Sequence, residues 1–166
     1  MNSEQFENTS SALDHELNEA LVNANIENGY EEFLGIFDRF YAEQAEVVSE
    51  GHSTGLAGKS HVLPVLFNFL LPLHVMAEIG GLSVTLRYSE IRSDNRGEQH
   101  AEWSLDLVGI LGRRVTLHWS SARRWKGSHV VYERHYEHRQ IGEPLNMIDL
   151  DFSAPSPRLA APVRPS

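Results

Sequence analysis

The 166-residue chain contains no cysteine. That excludes a disulfide framework, a thiolate nucleophile and a thiolate-held metal. Positive charge is scarce as well: 14 Lys and Arg stand against 23 Asp and Glu, giving a net charge of -9 at pH 7. A nucleic-acid partner requires clustered cations and is not expected. The pairs Arg113-Arg114 and Arg123-Arg124 are short and lie in strand-like sequence, so they read as strand-edge charges. No apolar run is long enough to cross a bilayer, because the greasiest stretch, Val62 to Met76, is broken by Pro64, Pro72 and His74. Glu4, Glu7 and Asp14 stand where a secretory signal would carry its apolar core. These absences point to a cytoplasmic protein with no membrane partner.

What is present is ordinary for one globular domain, 41% hydrophobic and 22% charged. Ser11-Ala12-Leu13-Asp14 has the form of a capping box opening a first helix, along which Leu13, Leu17 and Leu21 recur at helical spacing. A second helix is expected after Gly29, its face carrying Tyr30, Phe33, Leu34, Phe37 and Tyr41 at steps of three and four. Ala45 to Ser49 reads as a short strand and Glu50 to Gly58 as a polar loop. A third helix is expected from Lys59, with Val62, Val65, Leu66, Phe69 and Leu70 as its buried stripe. From Leu82 the period changes to two. Four strands (82–93, 98–110, 113–125 and 129–138) are separated by Asp94-Asn95-Arg96-Gly97, Leu111-Gly112 and Lys126-Gly127-Ser128, connections short enough to demand an antiparallel meander. Residues 1–141 are expected to form the domain. Residues 142–166 form a Pro-rich extension, flexible from 153 onward.

This order of elements resembles the nuclear-transport-factor-2-like superfamily, and within it the SnoaL-like group named for a polyketide cyclase. The resemblance is carried by Phe40-Tyr41-Ala42-Glu43-Gln44-Ala45-Glu46-Val47-Val48, by Gly58-Lys59-Ser60-His61-Val62, and by Gly127 through Val131-Tyr132-Glu133-Arg134-His135-Tyr136. It implies an α+β cone in which a strongly curved antiparallel sheet wraps three N-terminal helices around an open-ended pocket, commonly in a homodimer. Isomerases, dehydratases, cyclases, epoxide hydrolases and non-catalytic members share that fold, so fold alone names no reaction. The carboxylates that the steroid isomerases use would fall at Ser49 and near Ser120 or Ser121. The Asp-Arg-Asp set of the epoxide hydrolases would fall at Glu102, Ser104 and His135. Neither set is present.

Alternation divides the meander into an apolar face (Trp103, Leu105, Leu107, Val115, Leu117, Trp119, Val130, Tyr132) and a polar one. The polar face carries His100, Glu102, Ser104, Asp106, Thr116, His118, Ser120, Glu133, His135 and Glu137. Either the apolar face packs on the helices and the polar face meets water, or, as the resemblance implies, the polar face lines the cone. In the second case Glu102, His118 and His135 would lie within reach of one another as acid, base and orienter, because a neutral His accepts a proton near pH 7 and a carboxylate steadies the cation. Tyr30, Phe33, Phe37, Tyr41, His52, Phe69, Ser104 and Ser120 are the candidate ligand contacts. The chemistry implied is cofactor-free proton transfer on a small apolar carbonyl or hydroxyl compound. The alternatives are a non-catalytic hydrophobic-ligand pocket and a homodimeric interaction module. No paired-His spacing calls for a metal: His135 and His138 fall on opposite faces of a strand, and none is expected.

Overall fold

The computed structural model describes residues 3–24, 30–50, 56–57, 73 and 76–151. Helix α1 (Ser3–Ala24) leads to α2 (Tyr30–Phe40), and the chain passes directly into strand β1 (Tyr41–Ser49). The short β2 (Leu56–Ala57) pairs with β1. The meander follows as β3 (Ser83–Tyr88), β4 (Arg92–Ser93), β5 (Gln99–Val108), β6 (Arg114–Lys126) and β7 (His129–Ile141). The strands form one sheet in the order β2-β1-β7-β6-β5-β3, with β4 also on β5. The meander pairs are antiparallel as expected, while β1 closes on β7 in parallel, returning the chain from the helices to the far side of the sheet. Among the described residues no helix is long and apolar enough to cross a membrane. The expected third helix lies almost wholly outside the described residues.

Two irregularities decide which side chains face inward. Between Arg124 and Trp125 the β6–β7 register slips, so that Trp125 faces Val130 while Arg124 faces Tyr132, leaving Val131 as an extra residue. Such a bulge reverses the parity of everything beyond it. Val130 and Glu133 are therefore both buried, at 0% and 3% exposure. A second slip between His118 and Ser120 coincides with Glu137 in the left-handed region (φ 54°). For a residue other than glycine that conformation is uncommon, and here it accommodates the extra residue.

The core has two parts. At one end Leu73, Leu82, Leu105, Leu107 and Val115 pack with Met76, Val84, Leu117, Trp119, Leu145 and Leu150. Residues 142–151 thus begin the C-terminal extension as packed structure, its Asp149 buried against Gly109 and the Asp151 N–H donating to the Gly80 carbonyl at 2.8 Å. At the other end Leu17, Ala24, Ile36, Phe37, Phe40, Tyr41 and Ala45 pack with Trp125 and Val130. The apolar face of the meander is the inner one, as the first of the two accounts requires, except at Tyr132, which the bulge turns outward beside Arg124.

Helix α1 starts well before the expected cap. Ser11 lies within it, and Asp14 is not a capping acid but a buried side chain at 1% exposure. A run of Ser and Asp caps a helix only where the chain enters it; here α1 is already formed at Ser3.

Candidate functional site

Between the two apolar clusters, charge lies inside the fold. Arg123 occupies an inward position on β6, two residues before Trp125, and is 2% exposed. A buried guanidinium needs every donor met. Its Nε donates to Glu133 Oε1 at 2.6 Å on the neighbouring strand. Its Nη1 donates to Asp14 Oδ1 at 3.4 Å and to Asn18 Oδ1, both from α1. Asp14 and Asn18 are one helical turn apart, so they reach the sheet from one face of α1. Asp14 Oδ1 also accepts from the Trp125 indole N–H at 2.9 Å, and Glu133 Oε2 accepts from the Tyr41 hydroxyl at 2.6 Å. Trp103 flanks the group, with the Arg123 guanidinium 5.8 Å from its ring centre and its own indole N–H on Ser121 at 2.9 Å.

The two carboxyls respond differently to the same cation. Burial pushes Glu133 up, but the Arg123 charge, helped by His135 and by the Tyr41 and Arg123 hydrogen bonds, holds it below the usual glutamate range. Asp14 is also pushed up by burial, and the more distant Arg123 and the Trp125 N–H do not bring it back, so it stays above the usual aspartate range. Burial and the Glu133 charge hold the proton on Tyr41. Burial opposes the Arg123 charge, but the adjacent Glu133 carboxylate and its hydrogen bond outweigh that and keep Arg123 a cation.

His135 stands at the edge of this group. It follows Glu133 by two residues on β7, so both point inward, and its Nε2 is 3.6 Å from Glu133 Oε1. Its side chain is 27% exposed, against 4% for that of Glu133. Burial lowers its pKa below the ordinary histidine value; Glu133 opposes that shift, and Arg123 and His138 add to it. His135 is thus neutral at pH 7, with a carboxylate beside one ring nitrogen.

The expected trio of Glu102, His118 and His135 is not assembled. Glu102 pairs with Ser120 and His118 with Ser104, all four on the outer face, while His135 is on the inner one. The bulge at Val131 is the reason, since strict alternation from Val130 would have put Glu133 and His135 outside. Of the expected ligand contacts, Phe37 and Tyr41 are buried and stack at 4.5 Å, and Phe33 lies 4.9 Å from Phe37. Ser104 and Ser120 are on the outer face, where the Ser120 hydroxyl donates to Glu137 at 3.4 Å. Tyr30 opens α2, and its side chain, like His52 and Phe69 altogether, lies outside the described residues. The sequence reading missed Asp14, Asn18 and Arg123. The signal was there: Arg123 keeps the parity of Trp119 and Trp125, and Asp14 keeps the spacing of Leu17 and Leu21. A charge at an apolar position of a regular pattern marks a buried ion pair.

A separate apolar cavity of about 430 Å³ lies at the opposite end, with Met76, Leu82, Leu107, Val115, Leu117 and Leu145 in its wall.

No protein-family profile matches the chain, and no curated protein matches it in sequence. Solved structures do match it in shape. Bal32a, from a soil-derived mobile gene cassette, superposes with a TM-score of 0.54 at 13% identity, over 76% of this chain and 89% of its own. An NTF2-like protein of unknown function from Cytophaga hutchinsonii ATCC 33406 gives 0.53 at 13% identity, over 76% and 96%. A candidate SnoaL-like polyketide cyclase from Jannaschia sp. CCS1 gives 0.52 at 10% identity, over 75% and 85%. Helices first, a parallel return strand and a curved antiparallel meander around a mixed core make this chain NTF2-like in fold, the cone that the SnoaL-like proteins also adopt.

Proposed function

We propose that the protein is a cytoplasmic small-molecule pocket protein of the SnoaL-like kind that performs cofactor-free proton transfer on a small apolar carbonyl or hydroxyl compound. The site would lie in residues 1–141, and the working unit would be a homodimer. The observation that carries the reading is His135: a neutral, partly exposed imidazole at the end of an otherwise buried, hydrogen-bonded Asp14–Arg123–Glu133–Tyr41 chain. Glu133 cannot serve as the base itself, because its oxygens already accept from Arg123 and Tyr41 and its proton affinity is low. It can orient the ring and steady the imidazolium. In an isomerisation, a ring nitrogen of His135 would take a proton next to the carbonyl, leaving an enolate, and return it at another carbon. Glu102 and His118, on the outer face, take no part.

The test is deuterium incorporation into small apolar ketones in D2O. The His135→Asn variant should lose about a hundredfold or more of the rate, the usual worth of a positioned base. Equal rates in both proteins would remove His135 from the mechanism. A second reading, binding without catalysis, is favoured by the cavity of about 430 Å³, whose wall is almost wholly apolar. Saturable binding of the same ketones with no exchange would select it.

A further inference from the structure

The hairpin joining β4 to β5 brings together three side chains that the strand pattern alone does not connect. Asp94 begins the turn, and Glu98 and His100 follow on one face of the strand beyond it. Asp94 Oδ2 is 2.9 Å from His100 Nε2, Glu98 Oε2 is 4.0 Å from the same nitrogen, and one ligand atom from each residue lies within 4.8 Å of the others. All three are partly exposed, with side-chain exposures of 31% for Asp94, 12% for Glu98 and 26% for His100.

Each residue has one polar atom fixed from behind and one turned to the common point. Asp94 Oδ1 accepts the backbone N–H groups of Arg96 at 2.8 Å and Glu98 at 2.9 Å, leaving Oδ2 forward. Glu98 Oε1 accepts from Arg124 at 3.1 Å, leaving Oε2 forward. His100 Nδ1 meets the Tyr136 hydroxyl at 3.1 Å, leaving Nε2 forward. Tyr136 is itself held by the Arg134 guanidinium, 4.4 Å from its ring centre. Outer contacts of this kind set the direction and tautomer of metal ligands. His100 Nε2 lies 2.9 Å from Asp94 Oδ2, a contact that an Nε2–H donated to the carboxylate accounts for; a cation held by the three forward atoms would replace that proton and leave Nδ1–H to donate to Tyr136.

We propose that Asp94, Glu98 and His100 form a binding site for one divalent transition-metal ion, held by Asp94 Oδ2, Glu98 Oε2 and His100 Nε2. One imidazole nitrogen with two carboxylate oxygens suits Zn2+ or Mn2+ and disfavours the all-oxygen ions Mg2+ and Ca2+. The positions left open face solvent. The site is on the outer face of the hairpin, away from His135, and does not depend on the proposed proton transfer.

The experiment is calorimetric titration of Zn2+ into the EDTA-treated, dialysed full-length protein, repeated with Mg2+. The expected result is one Zn2+ per chain, weakened at least about tenfold in His100→Ala and in Asp94→Asn, with no comparable binding of Mg2+. The exposed His129 serves as control, since His129→Ala should bind as the parent does. The His100 ring nitrogens, followed by 15N NMR, give a readout that needs no variant: Zn2+ should shift Nε2 and leave Nδ1 protonated. Absence of binding, binding equal in His100→Ala, or a shift confined to other histidines would overturn the proposal.

Discussion

Two regions of the inner sheet face share strand β6 and are held by opposite means. Around Leu105, Leu107 and Val115 the interior is apolar, and area removed from water stabilises it. Around Arg123 it is ionic, and each charge is tolerated only because its partners are in place. An apolar interior loses stability in proportion to the volume removed, whereas a buried ion network fails as a unit. The ionic end is also where a titratable side chain, His135, comes to the surface with its proton affinity altered.

That contrast predicts the largest effect at Arg123. Arg123→Ala strands Glu133 and Asp14 without a cation, and the cost should be about 3–5 kcal/mol, read from the urea midpoint; a loss under about 1 kcal/mol would mean that the network does not hold the fold. At the apolar end, Leu107→Ala should cost about 2–5 kcal/mol through the cavity it leaves. Unlike Arg123→Ala, it should leave the His135 titration unchanged in an NMR experiment.

Tyr41→Phe is the subtler probe. It removes one donor to the ionised Glu133, a bond worth about 1.5–3 kcal/mol to a charged acceptor. Folding lowers the Glu133 pKa, so its ionisation contributes stability above the ordinary glutamate value of 4.5 and that contribution is lost as the pH falls through the lower folded value. Asp14 has the opposite sign: its raised pKa contributes stability below the ordinary 3.8 that is lost as the pH rises through the folded value. The cost of Tyr41→Phe should therefore be largest at neutral pH and shrink in acid, as urea melts at several pH values would show. A cost independent of pH would place the stabilisation in packing against Phe37 instead.

The meander was legible because period-two patterning and short Gly-containing turns leave few alternatives, and Trp103, Leu105, Leu107 and Val115 proved to be the inner face. The first helix was legible in type but not in extent, since Ser11 and Asp14 mimic a cap inside a helix already formed. Glu133 and His135 were misplaced because one extra residue, Val131, inverts the parity of β7. A bulge is set by pairing with β6, which no local pattern on β7 records. Arg123 was passed over because two adjacent arginines look like surface charge, although only Arg124 is exposed; its guanidinium lies 5.0 Å from the centre of the Tyr132 ring.

The central claim, that His135 is the neutral, reachable end of the buried ionic chain, is tested most directly by NMR titration of His135 in the parent protein and in Glu133→Gln. Folding should leave its pKa below the ordinary 6.5 in the parent, and removal of the Glu133 charge should lower it further. A His135 that titrates as an exposed histidine in both proteins would contradict the account.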